Sequence, residues 1–178
     1  LQALTSKRQR AKVLPVAVQF YARAGRVAAA RESLEEYLEL LRGQEGSVES
    51  ARRLAGLQAL VASAENRPYD VIAALEPMVG SETTNPAVWQ LLAEAYDRTD
   101  QPGRAVKALN QYRRLNPQDA QVARELSRQY AKLGDWDKVL NAVGLAESLG
   151  SADLTLKLLR YSALINLAST RRDQSHLE

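Results

Sequence analysis

Cysteine is absent from this sequence, and its 178 residues include one histidine, one methionine and one phenylalanine. Without cysteine there is no disulfide framework, no thiolate nucleophile and no thiolate metal ligand, and the redox compartment stays open. The one histidine, His176, stands by itself in the tail, so the usual nitrogen and sulfur ligand sets have no basis. There is no P-loop, no nucleophile elbow and no GxGxxG following a strand. Carboxylates are plentiful, but pairs such as Glu35 and Glu36 are adjacent on a helix and diverge. The expectation is therefore no catalysis, no cofactor and no metal. No apolar run approaches the roughly 18 residues that would span a bilayer. A soluble chain is expected, cytoplasmic or periplasmic. Neither sign of charge dominates: 24 basic and 21 acidic residues leave a net charge of +3, which suits solvated helix surfaces better than a nucleic-acid footprint.

What is abundant is Leu and Ala. Hydrophobic residues make up 46% of the chain, enough for a continuous core, and β-branched runs are short, so helix is favoured over sheet. The most informative stretch runs from Asn85 to Pro117. Two amphipathic halves flank Asp100-Gln101-Pro102-Gly103. Trp89, Leu92, Ala93 and Tyr96 mark the first half, Ala105, Leu109 and Tyr112 the second, and Pro117 closes the unit. Shifted by 34, Val88 meets Val122, Leu92 meets Leu126 and Tyr96 meets Tyr130. Ala108 likewise meets Ala142, Leu115 meets Leu149, and Asp119 meets Asp153. These matches fall mainly on buried slots and caps.

Large, large, small, large on one helix followed by small, large, large on the next resembles the tetratricopeptide repeat, whose unit is about 34 residues. The resemblance covers about residues 11 to 168. It implies an all-α, right-handed superhelical solenoid of antiparallel helix-turn-helix repeats with about nine helices. On this reading residues 1–170 form a single solenoid. Its repeats are expected at about 11–44, 45–85, 86–119 and 120–153, with a partial repeat at 154–170 and a tail at 171–178.

Taken in order, the chain opens with a basic patch at Lys7, Arg8, Arg10 and Lys12, read as the exposed face of an entering helix. Pro15 requires either a new helix start near Lys12 or a kink. Ala17, Val18 and Tyr21 share one face, and Gly25 takes the place of a left-handed cap. The returning helix turns Ala30, Leu34, Tyr37 and Leu40 inward. Gly43 and Gly46 flank the next turn, Ser47 is an N-cap, and a long helix is expected over 48–65. Its partner over 69–79 turns Val71, Leu75 and Met78 inward and ends irregularly at Pro77. Tyr21 and Tyr96 are 75 residues apart where two repeats would give about 68. Seven extra residues are therefore placed between Arg42 and Arg52, lengthening a helix that should protrude.

Asn85, Asp119, Asp135 and Asp153 read as further N-caps, with Gly134 at a C-cap. In the last helix, 154–168, Leu158, Tyr161, Ser162 and Ile165 repeat the signature one residue late. Leu156, Leu159, Leu164 and Leu167 make that helix apolar nearly all round. It is read as the severed end of a longer array, or as a homo-oligomer surface through exposed leucines. Leu177-Glu178 reads as a cloning remnant.

Trp89, Trp136 and the tyrosines are read as packing residues. In the tetratricopeptide family first helices line the concave surface, so the resemblance implies a protein or peptide partner held there. That face would carry Gln90, Glu94, Asp97 and Arg98 in one repeat and Gln121, Arg124, Arg128 and Lys132 in the next. A partner bearing acidic residues over the basic segment is expected. The carboxylate clamp of chaperone-binding members is not expected, because Glu94 and Glu125 would repel a terminal carboxylate. Two rival readings stand beside this one. One is a recognition arm of a larger multidomain protein, such as a bacterial export or exopolysaccharide assembly factor. The other is a nucleic-acid binder through basic helix faces.

Overall fold

Five side chains accept hydrogen bonds at the places where the sequence pattern starts a helix. In the computed structural model, Ser47 Oγ accepts from the Ser50 N–H at 3.1 Å, Asn85 Oδ1 from Ala87 at 3.1 Å, and Asp119 Oδ1 from Gln121 at 2.9 Å. Asp135 Oδ1 accepts from Lys138 at 3.4 Å and Asp153 Oδ1 from Leu156 at 2.9 Å. Each satisfies one of the orphan N–H groups of a first turn. The structure describes residues 2–42, 47–80 and 83–175. Among these there are nine α-helices and one 3-10 turn, with no strand.

The chain divides into two compact units, Leu1–Thr83 and Thr84–Glu178. The first contains α1 (Gln2–Arg23), α2 (Val27–Leu41), α3 (Val48–Ala64) and α4 (Pro68–Leu75), the last followed by the 3-10 turn Glu76–Met78. Pro77 sits in that turn, as the irregular ending anticipates. Helices α1 and α2 pack together, α3 packs on both, and α4 packs on α3. Leu14, Val18, Ala30, Leu34, Tyr37, Leu57 and Val61 form the core. Val71 and Leu75 are buried, whereas Met78 is half-buried.

Pro15 neither starts a helix nor ends one: α1 runs through it. A proline there removes one backbone hydrogen bond, but Leu14 and Val18 beside it are buried against α2 and α3. That packing holds the helix across the defect. Helix α3 has 17 residues against 13 each for α5 and α7. The added length lies at its N-terminal end, where Val48 is 70% exposed, Arg52 and Arg53 are exposed, and burial begins at Ala55. Gly43 and Gly46 lie outside the described residues.

The second unit contains α5 (Pro86–Arg98), α6 (Pro102–Leu115), α7 (Ala120–Lys132), α8 (Trp136–Ser148) and α9 (Leu154–Ser175). Each packs on the next, and α9 also reaches α7. Ala123, Val139, Val143, Ala146, Leu156 and Ala163 form one core cluster, with Tyr130 and Trp136 against it.

One turn geometry recurs through both units. The carbonyls of Tyr21, Ala62, Tyr96, Tyr130 and Ala146 each accept from the N–H five residues on, at 2.8 to 3.0 Å. The residue before each donor is left-handed: Gly25, Asn66, Asp100, Gly134 and Gly150. This closure satisfies end carbonyls and reverses the chain in a few residues, which sets consecutive helices side by side. A cation lies over three of the tyrosines: Arg26 at 5.2 Å from the Tyr21 ring, Arg104 at 4.9 Å from Tyr96, and Lys138 at 5.6 Å from Tyr130.

The register expected for the last helix is corrected. Leu156 and Ala163 are the buried positions, keeping strict 34-residue spacing from Val122 and Gln129. Leu158, Tyr161 and Ile165 are exposed, as is Leu164. Leu156 and half-buried Leu159 are therefore core residues and not the exposed leucines. The reason is that Asp153 caps at the Leu156 N–H, which fixes the face that meets α7 and α8. The helix also continues past Ala168 to Ser175.

Candidate functional site

Helices α5, α6 and α7 enclose a cavity of about 230 Å³. Its floor is apolar, built from Ala93, Leu109 and Val122, all at most 5% exposed. Six of the eight residues expected at the binding face line it: Gln90, Glu94, Asp97 and Arg98 from α5, with Gln121 and Arg128 from α7. They are gathered because α5 and α7 are first helices of adjacent hairpins, and the floor takes one residue from each of the three helices, Ala93 from α5, Leu109 from α6 and Val122 from α7.

Arg124 and Lys132 are placed otherwise. Arg124 pairs with Asp153 at 2.6 Å and lines a smaller hollow with Ser127 and Leu156. Lys132 stands at the cavity edge, its Nζ donating to Asp97 Oδ1 at 2.7 Å. Arg128 pairs with Glu125 within its own helix. The basic strip anticipated on α7 is thus matched, cation by cation, to carboxylates. Along the rim, Gln90 Nε2 donates to Glu94 at 3.2 Å and Gln121 Nε2 to Glu125 at 2.8 Å.

Glu125, expected on this face as an acid, lines the cavity, and three polar lining residues escaped the sequence reading of the site: Tyr112, Asp119 and Gln129. The Tyr112 hydroxyl donates to Asp119 Oδ2 at 2.8 Å, and this bond, with burial, pushes the phenol pKa up. Gln129 is 2% exposed, and its Nε2 donates to Asp97 Oδ1 at 2.6 Å. Burial works to raise the Asp97 pKa, but the Lys132 and Gln129 hydrogen bonds and the nearby Lys132 and Arg128 charges outweigh it. The carboxyl is held below its ordinary range. One signal for Gln129 was available: it occupies the slot taken by Ala95 and Ala163, 34 residues away on either side, both buried. A long amide in a small-residue slot has to put its polar end somewhere.

A second polar cluster lies in the first unit. Glu65, with a side chain 5% exposed, accepts from Arg31 Nε at 2.6 Å and pairs with Arg67. Arg67 also pairs with Asp70 at 2.9 Å. In the basic patch of α1, Arg10 pairs with Glu36 at 2.9 Å, and Lys7 and Lys12 are exposed. No group of three or more His, Cys, Asp or Glu side chains among the described residues is arranged to hold a metal ion. No described helix is long and apolar enough to cross a membrane.

No curated protein matches the sequence. Among solved structures, MamA AMB-1 matches with a TM-score of 0.73 at 18% identity, over 96% of this chain and 89% of that one. MamA MSR-1 matches with a TM-score of 0.70 at 19% identity, over 94% and 92%. The Cut9–Hcn1 hetero-tetramer of the APC/C matches at 0.63 and 18% identity, over 83% of this chain but 29% of that one. At such identities these neighbours share the fold. Residues 62–130 match the family model described as tetratricopeptide repeat, a span that contains α5, α6 and most of α7. Over those residues the chain matches the tetratricopeptide-repeat model, and among the described residues it has the all-helical fold of these neighbours.

Proposed function

We propose that this chain is a non-catalytic scaffold that binds a segment of a protein partner in the α5–α6–α7 groove. The observation that carries the reading is the convergence of Gln90, Glu94, Asp97, Arg98, Gln121 and Arg128 on one cavity with an apolar floor. An apolar floor contributes affinity, and a rim of side chains with both donors and acceptors contributes register. The repeat fold supports the same conclusion, since its paired helices leave first-helix faces for a partner.

Affinity capture with the full chain tests the proposal. Partners retained by the wild type should be lost by Glu94→Lys/Arg128→Glu, which inverts two rim charges without touching the floor. Capture unchanged by that pair, with the variant folded by circular dichroism, would place the binding surface elsewhere.

A further inference from the structure

The kind of side chain that the groove takes follows from one buried atom, and this step rests on the groove reading above. Gln129 Nε2 is committed to Asp97 Oδ1 at 2.6 Å. That bond fixes which way the amide lies, because the flipped amide would set Oε1 against a carboxylate. Oε1 is buried, belongs to a side chain lining the cavity, and has no hydrogen-bond partner among the described residues. Buried acceptors are rarely left so, and each such exception asks for a donor. Asp97 adds acceptor capacity beside it, since its described bonds to Gln129 and Lys132 both fall on Oδ1.

The charge around the cavity selects among donors. Its lining carries the carboxylates of Glu94, Asp97, Asp119 and Glu125 against the guanidinium groups of Arg98 and Arg128. Even with Lys132 at the edge, the sum is negative. The volume, about 230 Å³, is below the range of about 300–1,000 Å³ that holds a drug-sized ligand, so it suits one side chain. The floor of Ala93, Leu109 and Val122 asks for an apolar stem.

We infer that the cavity takes a lysine side chain of the bound partner. Its methylenes lie on Ala93, Leu109 and Val122, and its ammonium donates to Gln129 Oε1 and the Asp97 carboxylate. Lysine has three donors on one compact atom and no acceptor, which suits two neighbouring acceptors. A carboxylate would meet Gln129 Oε1 and Asp97 lone pair to lone pair. A planar guanidinium would spread five donors where one buried acceptor and one carboxylate receive them.

The test uses the intact chain and short fluorescent peptide pools that differ only in a fixed central residue: lysine, arginine, norleucine or glutamate. The lysine pool should bind about tenfold more tightly than the norleucine pool, the lower end of what hydrogen bonds to a charged group supply. It should also exceed the arginine and glutamate pools. Gln129→Met should abolish the lysine advantage while leaving norleucine binding in place. Asp97→Asn should reduce the advantage, and it carries the test if Gln129→Met proves unfolded by circular dichroism. A lysine pool no tighter than norleucine, an arginine preference, or an advantage undiminished by Asp97→Asn overturns the assignment. If all pools bind alike and Glu94→Lys/Arg128→Glu weakens them all, the lysine assignment falls and the groove stands. If that pair of changes affects no pool, both fall.

Discussion

The Gln129 side chain of α7 reaches across to α5 and donates to the Asp97 carboxylate at 2.6 Å, tying two first helices of adjacent hairpins at the base of the groove. Lys132 shares the same oxygen at 2.7 Å. A double-mutant cycle with Asp97→Ala and Gln129→Met should give a coupling of about 1 kcal/mol. That is less than a fully buried charged hydrogen bond would give, because Asp97 is partly open to water. Chemical denaturation of the four proteins measures it, and additive losses would mean the tie contributes nothing to stability.

Tyr96 is 6% exposed, its ring lies under Arg104 at 4.9 Å, and its carbonyl closes the turn to α6. Tyr96→Ala removes an aromatic body from between paired helices and should cost about 3 kcal/mol. Hydrogen exchange should show the loss first in α5 and α6. Unchanged protection there would refute the packing role given to this residue.

Gly134 and Asp100 hold the same left-handed turn position, with φ of 70° and 53°. Nothing stands within 4 Å of a Cβ built at Gly134, so Gly134→Ala should destabilise through backbone conformation alone, by about 1 kcal/mol. Asp100→Gly should be neutral or stabilising by a few tenths, since it relieves that cost at the equivalent position. Thermal melts of the two variants should therefore move in different directions or differ clearly in size.

Burial works to raise the Glu65 pKa, yet the Arg31 hydrogen bond and the Arg67 and Arg31 charges win and hold it below its ordinary value of 4.5. A carboxyl depressed in the folded state contributes stability above the unfolded pKa and loses it as pH falls through the folded value. Glu65→Gln should therefore cost about 1–2 kcal/mol at pH 7. The variant and the wild type should converge as pH drops below about 4.5, the unfolded value. Parallel stability curves across that window would show that the arginines do not stabilise this charge.

Much of the architecture was legible along the chain, because caps, left-handed turns and 34-residue recurrences are local chemistry. Asn85, Asp119, Asp135 and Asp153 cap helices by reaching two or three residues ahead, and Gly25 and Gly134 take positive φ where a helix closes. The repeat signature set one residue late in α9 misled for a complementary reason. An almost wholly apolar helix offers several faces of similar hydrophobicity, so periodicity could not choose Leu156 and Ala163 over Leu158 and Ile165.

The sequence by itself determined the helices, most of their starts and the pairing of Leu92, Tyr96, Ala105 and Leu109 in one hairpin, and it pointed to one face of α5 and α7 for a partner. Only the tertiary structure decided what that face is chemically. Whether Arg124, Arg128 and Lys132 present charge or spend it on Asp153, Glu125 and Asp97 depends on neighbours 29, 3 and 35 residues away. That Pro15 lies inside a helix, and that Gln129 is buried with its amide oriented by Asp97, also depends on packing between helices. Local pattern sets each helix, but the electrostatics of a groove are a sum over elements that meet only when the chain is folded.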